Sequence, residues 1–152
     1  MDRILISACL VGVECKYCGG SNAIPADKLA KLMEKYQLVP VCPEAMGGLP
    51  TPRHPSERIG DRVVSDIGTD VTAEYERGAQ FALQLANIYG CKRAILKENS
   101  PSCGSGTIYD GTFSHTVVPG DGVTAQLLKQ DGMTVYNERE LDKLILNSNK
   151  TV

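Results

Sequence analysis

Long hydrophobic runs are absent from this sequence. The start of the chain, from Met1 to Ser7, has too short an apolar stretch for the central region of a signal peptide. No later segment approaches the roughly 20 apolar residues that a membrane-spanning helix requires. We therefore expect a cytoplasmic protein without membrane contact, in a compartment where thiols stay reduced.

A marked excess of charge is also absent. The net charge is −2 over 152 residues, and the Lys and Arg residues are scattered rather than gathered in a basic stripe. Because such a stripe is the usual means of neutralising a phosphate backbone, binding to long nucleic acid is not expected. The content of 42% hydrophobic and 22% charged residues is that of a globular protein, and the length suits a single domain over residues 1–152.

The chain does contain six cysteines. A domain of this length buries enough surface to fold without disulfides, and disulfide frameworks belong mainly to small secreted domains. Six cysteines in a reducing compartment therefore point to metal or redox chemistry.

The spacing of apolar residues predicts alternating strands and helices. Buried strands are predicted at residues 3–7, 38–41, 93–97 and 133–136, and helices at residues 26–37, 70–89, 123–130 and 138–146. Gly90 is the predicted end of the longest helix, Gly60-Asp61 the turn of a hairpin within residues 58–66, and residues 98–120 a long loop. This alternation predicts an α/β fold with a mostly parallel sheet and helices on its faces.

Three cysteines follow three of the predicted strands. Cys9 comes two residues after the first strand, Cys42 directly after the second, and Cys103 lies in the loop after the third. Ligands bind at the carboxyl ends of the strands in open parallel sheets, so the three thiols are expected to gather there. Three thiolates on a cubane iron–sulfur cluster leave one iron without a protein ligand, and zinc would also accept three thiolates plus water.

The remaining cysteines and the histidines give weaker signals. Cys15 and Cys18 form a CxxC, whose spacing suits a redox pair, two metal ligands or a chance loop pairing. Cys91 is expected to be a small buried hydrophobe. His54 and His115 lack metal-ligand spacing and are predicted to be loop residues.

Polar residues accompany the candidate cysteines. Glu44 lies two residues after Cys42, where a carboxylate can relay protons. Hydroxyls and two glycines surround Cys103 in residues 99–106, a composition that lets backbone N–H groups approach a bound group closely.

Five motifs in this order resemble the thiouracil desulfidase (TudS-like) family, long regarded as a domain of unknown function. They are Ser7-Ala8-Cys9-Leu10, Pro40-Val41-Cys42-Pro43-Glu44, Gly47-Gly48-Leu49-Pro50-Thr51-Pro52-Arg53, Ser100-Pro101-Ser102-Cys103-Gly104 and Pro119-Gly120-Asp121-Gly122-Val123-Thr124-Ala125. The likeness extends from Ile4 to about Tyr136. It implies a Rossmann-like three-layer α/β sandwich that binds a [4Fe-4S] cluster through the cysteines matching Cys9, Cys42 and Cys103.

The resemblance also implies a reaction and a substrate. In the family the open iron takes the sulfur of a thiolated uracil while water replaces it at carbon, without net redox change, and sulfide is released. The expected partner is therefore a small-molecule thiolated base. By motif, Glu44 would activate water, Ser102 would orient or donate to the reacting carbonyl, and Arg53, Lys97 and Ser100 would bind the substrate.

One departure from the family pattern concerns the CxxC. Where the family is expected to read Cys-Arg-Tyr-Asp-Gly-Gly, this chain reads Cys15-Lys16-Tyr17-Cys18-Gly19-Gly20. Cys18 could supply a fourth thiolate and close the open iron, which leaves a second hypothesis, a non-catalytic iron–sulfur or zinc module acting as sensor or sulfur carrier. A third, a thiol-disulfide enzyme using Cys15 and Cys18, lacks the Trp-Cys-x-x-Cys context.

Overall fold

A computed structural model of the chain describes residues 1–147. The predicted single domain runs to residue 152, so its last five residues lie outside the described part. Within residues 1–147, no helix is both long and apolar enough to cross a membrane.

The described chain contains eight strands and five α-helices. The strands are β1 (Asp2–Ser7), β2 (Tyr36–Val41), β3 (Ser56–Ile59), β4 (Arg62–Ser65), β5 (Arg93–Ile95), β6 (Thr107–Tyr109), β7 (Val117–Pro119) and β8 (Thr134–Tyr136). The helices are α1 (Ala26–Lys35), α2 (Pro43–Met46), α3 (Thr72–Tyr89), α4 (Val123–Gln130) and α5 (Leu141–Asn147). Two short 3-10 turns, Ala8–Val11 and Glu138–Glu140, precede loops or helices.

Four strands form the central sheet in the order β2-β1-β5-β8, and every pair in it is parallel. Side chains alternate across β1: Leu5 packs on one face with Ala82 of α3 and Leu128 of α4, whereas Ile4 packs on the other face with Leu32 of α1. Helices therefore cover both faces of the sheet, and the predicted three-layer α/β sandwich is confirmed.

The predicted helices differ from the observed ones mainly at their ends. The helix predicted over residues 26–37 stops at Lys35, because Tyr36 and Gln37 pair in parallel register with Asp2 and Arg3 of β1. The longest helix ends as predicted at Gly90, whose φ of 70° provides the left-handed cap. The closing helix splits into a 3-10 turn and α5.

Two hairpins extend from the sheet. Strands β3 and β4 pair around Gly60-Asp61, so the predicted hairpin is confirmed and is two residues longer at its start. The prediction of a continuous loop over residues 98–120 is wrong, because β6 and β7 pair there as a second antiparallel hairpin. A single helical turn, α2, directly follows Cys42.

Candidate active site

The cavity of interest lies at the carboxyl ends of β1, β2 and β5 and has a volume of about 570 Å³. Loops from all three strands and both hairpins line it, as expected for an open parallel sheet. Its thiol and charged lining residues are Cys9, Cys15, Cys42, Cys103, Lys16, Glu44, Arg53, Glu57, Asp66, Lys97 and Glu98.

The three cysteines predicted from the strand ends all line this cavity. Cys9 lies in the 3-10 turn after β1, and the Asn22 side-chain amide donates to its Sγ at 3.6 Å. Cys42 is the residue before α2, and Cys103 lies in the loop after β5, 3% exposed. The sheet therefore brings together thiols that are far apart in the sequence.

Burial keeps two of these thiols in the protonated form. It raises the pKa of Cys9 and raises that of Cys103 further, although hydrogen bonds from Ser7 and Ser102 act in the opposite direction on Cys103. Metal ligation requires thiolates, so metal binding here must release protons. Among residues 1–147, no three His, Cys, Asp or Glu side chains form a group that could hold a single metal ion. A cubane cluster needs less convergence, because each thiolate binds its own iron.

The two cysteines of the CxxC lie in different environments. Cys15 is buried and lines the cavity, and its backbone carbonyl accepts a hydrogen bond from the Cys42 thiol at 3.8 Å. Burial, together with the adjacent Cys42, raises the pKa of Cys15 to about 12. Cys18 is exposed and does not line the cavity. Cys91 is buried in the hydrophobic core, as predicted.

Glu44 and Arg53 form an ion pair at the cavity wall. Arg53 Nη2 lies 3.2 Å from Glu44 Oε2, and the two side chains are only 6% and 16% exposed, respectively. The same nitrogen donates to the Cys15 carbonyl at 2.9 Å, and Nη1 donates to the Pro50 carbonyl and the Thr51 hydroxyl. The protein itself therefore engages both terminal nitrogens of the guanidinium.

The two serines before Cys103 point in different directions. Ser102 is fully buried, its Oγ lies 2.8 Å from Thr124 Oγ1, and it does not line the cavity. Ser100 does line the cavity, and its Oγ accepts hydrogen bonds from the backbone N–H groups of Ser102 and Cys103, each at 3.1 Å. With its oxygen occupied by two donors, the Ser100 hydroxyl is left to donate its own proton.

Lys97 follows β5 and lines the cavity in an ion pair. Its Nζ lies 2.9 Å from Glu138 Oε2 and also donates to the Glu98 carbonyl at 3.3 Å. An ammonium group has three donor hydrogens, so one remains for a ligand.

Sequence reasoning missed the aromatic part of the lining. Tyr17, Tyr75, Tyr109 and Phe113 line the cavity, as do both histidines. His54 contacts Asp66 at 3.0 Å between Nδ1 and Oδ1, and His115 makes an edge-to-face contact with Tyr109. Tyr109, Phe113 and His115 are close together in the sequence, but they belong to the hairpin of β6 and β7, a segment for which the sequence predicts only a loop.

Comparisons with known proteins agree with one another. A family model described as 2-thiouracil desulfurase matches residues 4–140. An uncharacterised protein of Bacillus subtilis (strain 168), YbbK, is 45% identical over 93% of this chain and 99% of its own length. The solved structure of the [4Fe-4S]-dependent thiouracil desulfidase TudS is 44% identical, covers 99% of this chain and 100% of its own, and superposes with a TM-score of 0.93.

Proposed function

Because the chain belongs to the 2-thiouracil desulfurase family, as its motifs predict, we propose that it is a [4Fe-4S]-dependent desulfidase of a thiolated nucleobase. Water supplies the oxygen that replaces sulfur at carbon, and sulfide leaves without net oxidation or reduction. The observation that carries this proposal is the presence of Cys9, Cys42 and Cys103 on one cavity, each from the loop after a different parallel strand.

The donor set of this cavity fits the cluster. Thiolates are the ligands that iron–sulfur clusters require, and the proposed ligands are Cys9, Cys42 and Cys103. These three thiolates would hold the cluster and leave one iron without a protein ligand, so that the chemistry it would supply is a site with affinity for the substrate sulfur. The Asn22 amide supports this set, since it donates to Cys9 Sγ and its backbone N–H donates to the Cys9 carbonyl at 2.9 Å.

Glu44 is the proposed base that activates water. Its carboxylate lines the cavity, and Arg53 holds Oε2, which leaves Oε1 for a water molecule. Arg53 is better described as a residue that positions Glu44 than as a substrate ligand, because its terminal nitrogens already bond to the protein.

Ser100, rather than Ser102, is the proposed hydroxyl donor to the substrate. Ser102 is a structural residue of the loop, since its hydroxyl pairs with Thr124 in full burial. The loop is fixed on α4, because the N–H groups of Val123 and Thr124 donate to the carbonyls of Pro101 and Ser102 at 2.9 and 2.8 Å. Ser100 thereby presents its O–H to the cavity, and Lys97 offers the substrate one further donor.

The compartment is proposed to be the cytoplasm. All six cysteines are free in the described residues, which accords with a reducing environment.

One observation favours a second candidate, the closed four-thiolate module. Cys15 lines the cavity beside Cys42 and is better placed than Cys18 to become a fourth ligand. A cluster closed in this way would bind no sulfur from a base and would not turn over.

Anaerobic reconstitution with iron and sulfide tests these proposals. We expect about four iron atoms per wild-type chain, with brown colour, and release of uracil and sulfide from 2-thiouracil. Cys42→Ser should take up no stable cluster, whereas Cys18→Ser should behave as wild type. A full cluster without sulfide release that becomes active in Cys15→Ala would instead support the closed module, and the absence of iron uptake by the wild type would refute both.

A further inference from the structure

The hairpin of β6 and β7 contributes a group of aromatic side chains to the lining of the cavity. Its cavity-lining members are Tyr109, Phe113 and His115, and none of them belongs to the proposed cluster ligands or proton-handling groups. The whole chain has only 6 Tyr and 2 Phe, and half of these eight residues line this one cavity. Such a concentration points to a ligand with an aromatic face.

The segment between the two strands, residues 110–116, is here called the tip. Phe113 and His115 have φ angles of 58° and 61°, in the left-handed region that non-glycine residues rarely adopt. Gly111, with a φ of 94°, is a third residue of the tip in this region. Two side chains held in a disfavoured backbone conformation indicate that their direction matters.

A buried carboxylate holds the tip in this conformation. Glu57 of β3 is 7% exposed, and its Oε1 accepts hydrogen bonds from the backbone N–H groups of Gly111 at 2.9 Å and Phe113 at 3.1 Å. Ile59 packs directly beneath Gly111, where a Cβ would lie 2.4 Å from its Cγ1. The tip is therefore attached to the neighbouring hairpin by both polar and apolar contacts.

The two aromatic side chains of the tip keep surface available for a ligand. Phe113 is 37% exposed although it lines the cavity. The Tyr109 ring meets His115 edge to face, with centroids 6.0 Å apart and an interplanar angle of 80°. Tyr109 thus restrains the His115 ring, and His115 remains an exposed residue.

We propose that the tip is the base-recognition wall of the site, with Phe113 and His115 packing against the planar face of the substrate ring. This inference rests on the proposed function for the identity of the ring. The wall accounts for selection of a flat aromatic heterocycle, which the hydrogen-bonding groups Ser100 and Lys97 cannot provide alone. Phe113 and His115 are therefore specificity-determining residues for the thiolated base.

Binding of 2-thiouracil to the cluster-loaded protein, measured anaerobically by calorimetry with Glu44→Gln present in every chain to prevent turnover of the ligand, tests the wall. Stacking of a base on an aromatic side chain contributes to the binding free energy, and its loss weakens binding. We therefore expect Kd to increase about tenfold in Phe113→Ala and by a smaller factor in His115→Ala. Val118→Ala is the matched control, because Val118 lies on the same hairpin, is also 37% exposed and does not line the cavity. It should leave Kd unchanged.

A second ligand tests the requirement for planarity. The puckered ring of 5,6-dihydro-2-thiouracil should bind the wild type more weakly than 2-thiouracil, and Phe113→Ala should remove most of that difference. Equal Kd values in wild type and Phe113→Ala, an equal loss in Val118→Ala, or no binding of 2-thiouracil to the wild type would each overturn the proposal. Binding that depends on Phe113, with no sulfide release by the cluster-loaded chain that retains Glu44, would support the wall while refuting the desulfidase reaction.

Discussion

At the scale of single residues, the contacts of Arg53 favour a positioning role over the substrate-binding role that its motif predicts. A guanidinium at a cavity is a natural ligand for a base carbonyl, as the motif predicts. In the structure, Nη2 bridges Glu44 Oε2 and the Cys15 carbonyl, and the side chain is 6% exposed. A buried arginine with these partners fixes the direction of the carboxylate that is proposed to activate water.

Replacement of Arg53 by lysine should therefore affect turnover more than binding. Lysine keeps the positive charge but cannot bridge the two acceptors with a planar fork. We expect kcat to fall by about tenfold, the equivalent of one lost hydrogen bond to a charged group, with KM within about twofold of wild type. Steady-state kinetics on chains with equal iron content measure both quantities.

Arg58→Lys provides the control for this prediction. Arg58 also donates to backbone carbonyls, those of Gly60 and Asp121, but it does not line the cavity. Its replacement should leave kcat unchanged. A raised KM with an unchanged kcat in Arg53→Lys would show that the arginine binds the substrate, as the sequence-based prediction stated.

The sequence does not predict which of the two serines before Cys103 faces the cavity. The position of Cys9 and Cys42 could be predicted, because a residue that follows a buried parallel strand must lie at the carboxyl edge of the sheet. Ser100 and Ser102 differ by only two positions within one turn. Which hydroxyl faces the cavity depends on the pairing of Ser102 with Thr124 of α4, a contact that no local pattern contains.

At the scale of secondary-structure elements, the contact between α2 and α3 determines where Glu44 lies. A Cβ on Gly78 of α3 would lie 1.9 Å from the Pro43 carbonyl oxygen, and one on Gly47 would lie 2.0 Å from the Glu74 carbonyl oxygen. Two glycines, one from each side, thus allow the two backbones to touch. The short helix that begins directly after Cys42 rests on the longest helix of the fold.

Gly78→Ala should displace α2 and with it Glu44. The added methyl group meets backbone rather than a flexible side chain, so α2 must move. Overpacking of this kind costs about 1–3 kcal/mol, which exceeds or offsets the gain of about 1 kcal/mol in helix propensity. We expect the free energy of unfolding to fall by about 1 kcal/mol and kcat to fall by at least about tenfold, as measured by denaturant unfolding and kinetics.

Gly90→Ala separates loss of stability from loss of geometry. Gly90 ends the same helix with a φ of 70°, and a Cβ there would meet nothing within 4 Å. Alanine in this conformation costs about 1–2 kcal/mol, so stability should fall by a similar amount while kcat is retained. Wild-type kcat in Gly78→Ala would mean that the close contact does not position the site.

The elements that escaped prediction are short and depend on distant partners. Helix α3 has 18 residues with a small-residue face and a glycine stop, and this is a strong local signal. Strands β6 and β7 have three residues each and are joined by a polar segment with three left-handed residues. Their conformation is stabilised by Glu57 on another hairpin, so the sequence of the segment alone resembles a loop.

At the scale of the whole molecule, the site exists only when the sheet is formed. Cys9, Cys42 and Cys103 follow β1, β2 and β5, and these strands are adjacent in the order β2-β1-β5. An unfolded chain would hold the three thiols far apart. Anything that binds all three at once therefore favours the folded state and couples cluster binding to global stability.

Cluster loading should raise the thermal midpoint of unfolding. A ligand present at about 100 times its dissociation constant stabilises by about 2.7 kcal/mol, which corresponds to roughly 5–10 °C for a chain of this size. The shift should increase with pH: burial raises the pKa of Cys9 and Cys103, so the metal-free folded state holds protons that loading must displace. Anaerobic calorimetry of loaded and metal-free protein at pH 6.5 and 8 measures both effects.

Cys18→Ser should retain the shift and Cys42→Ser should lose it. If Cys42→Ser kept the full stabilisation, iron would be bound elsewhere, and the cavity at the strand ends would not be the cluster site.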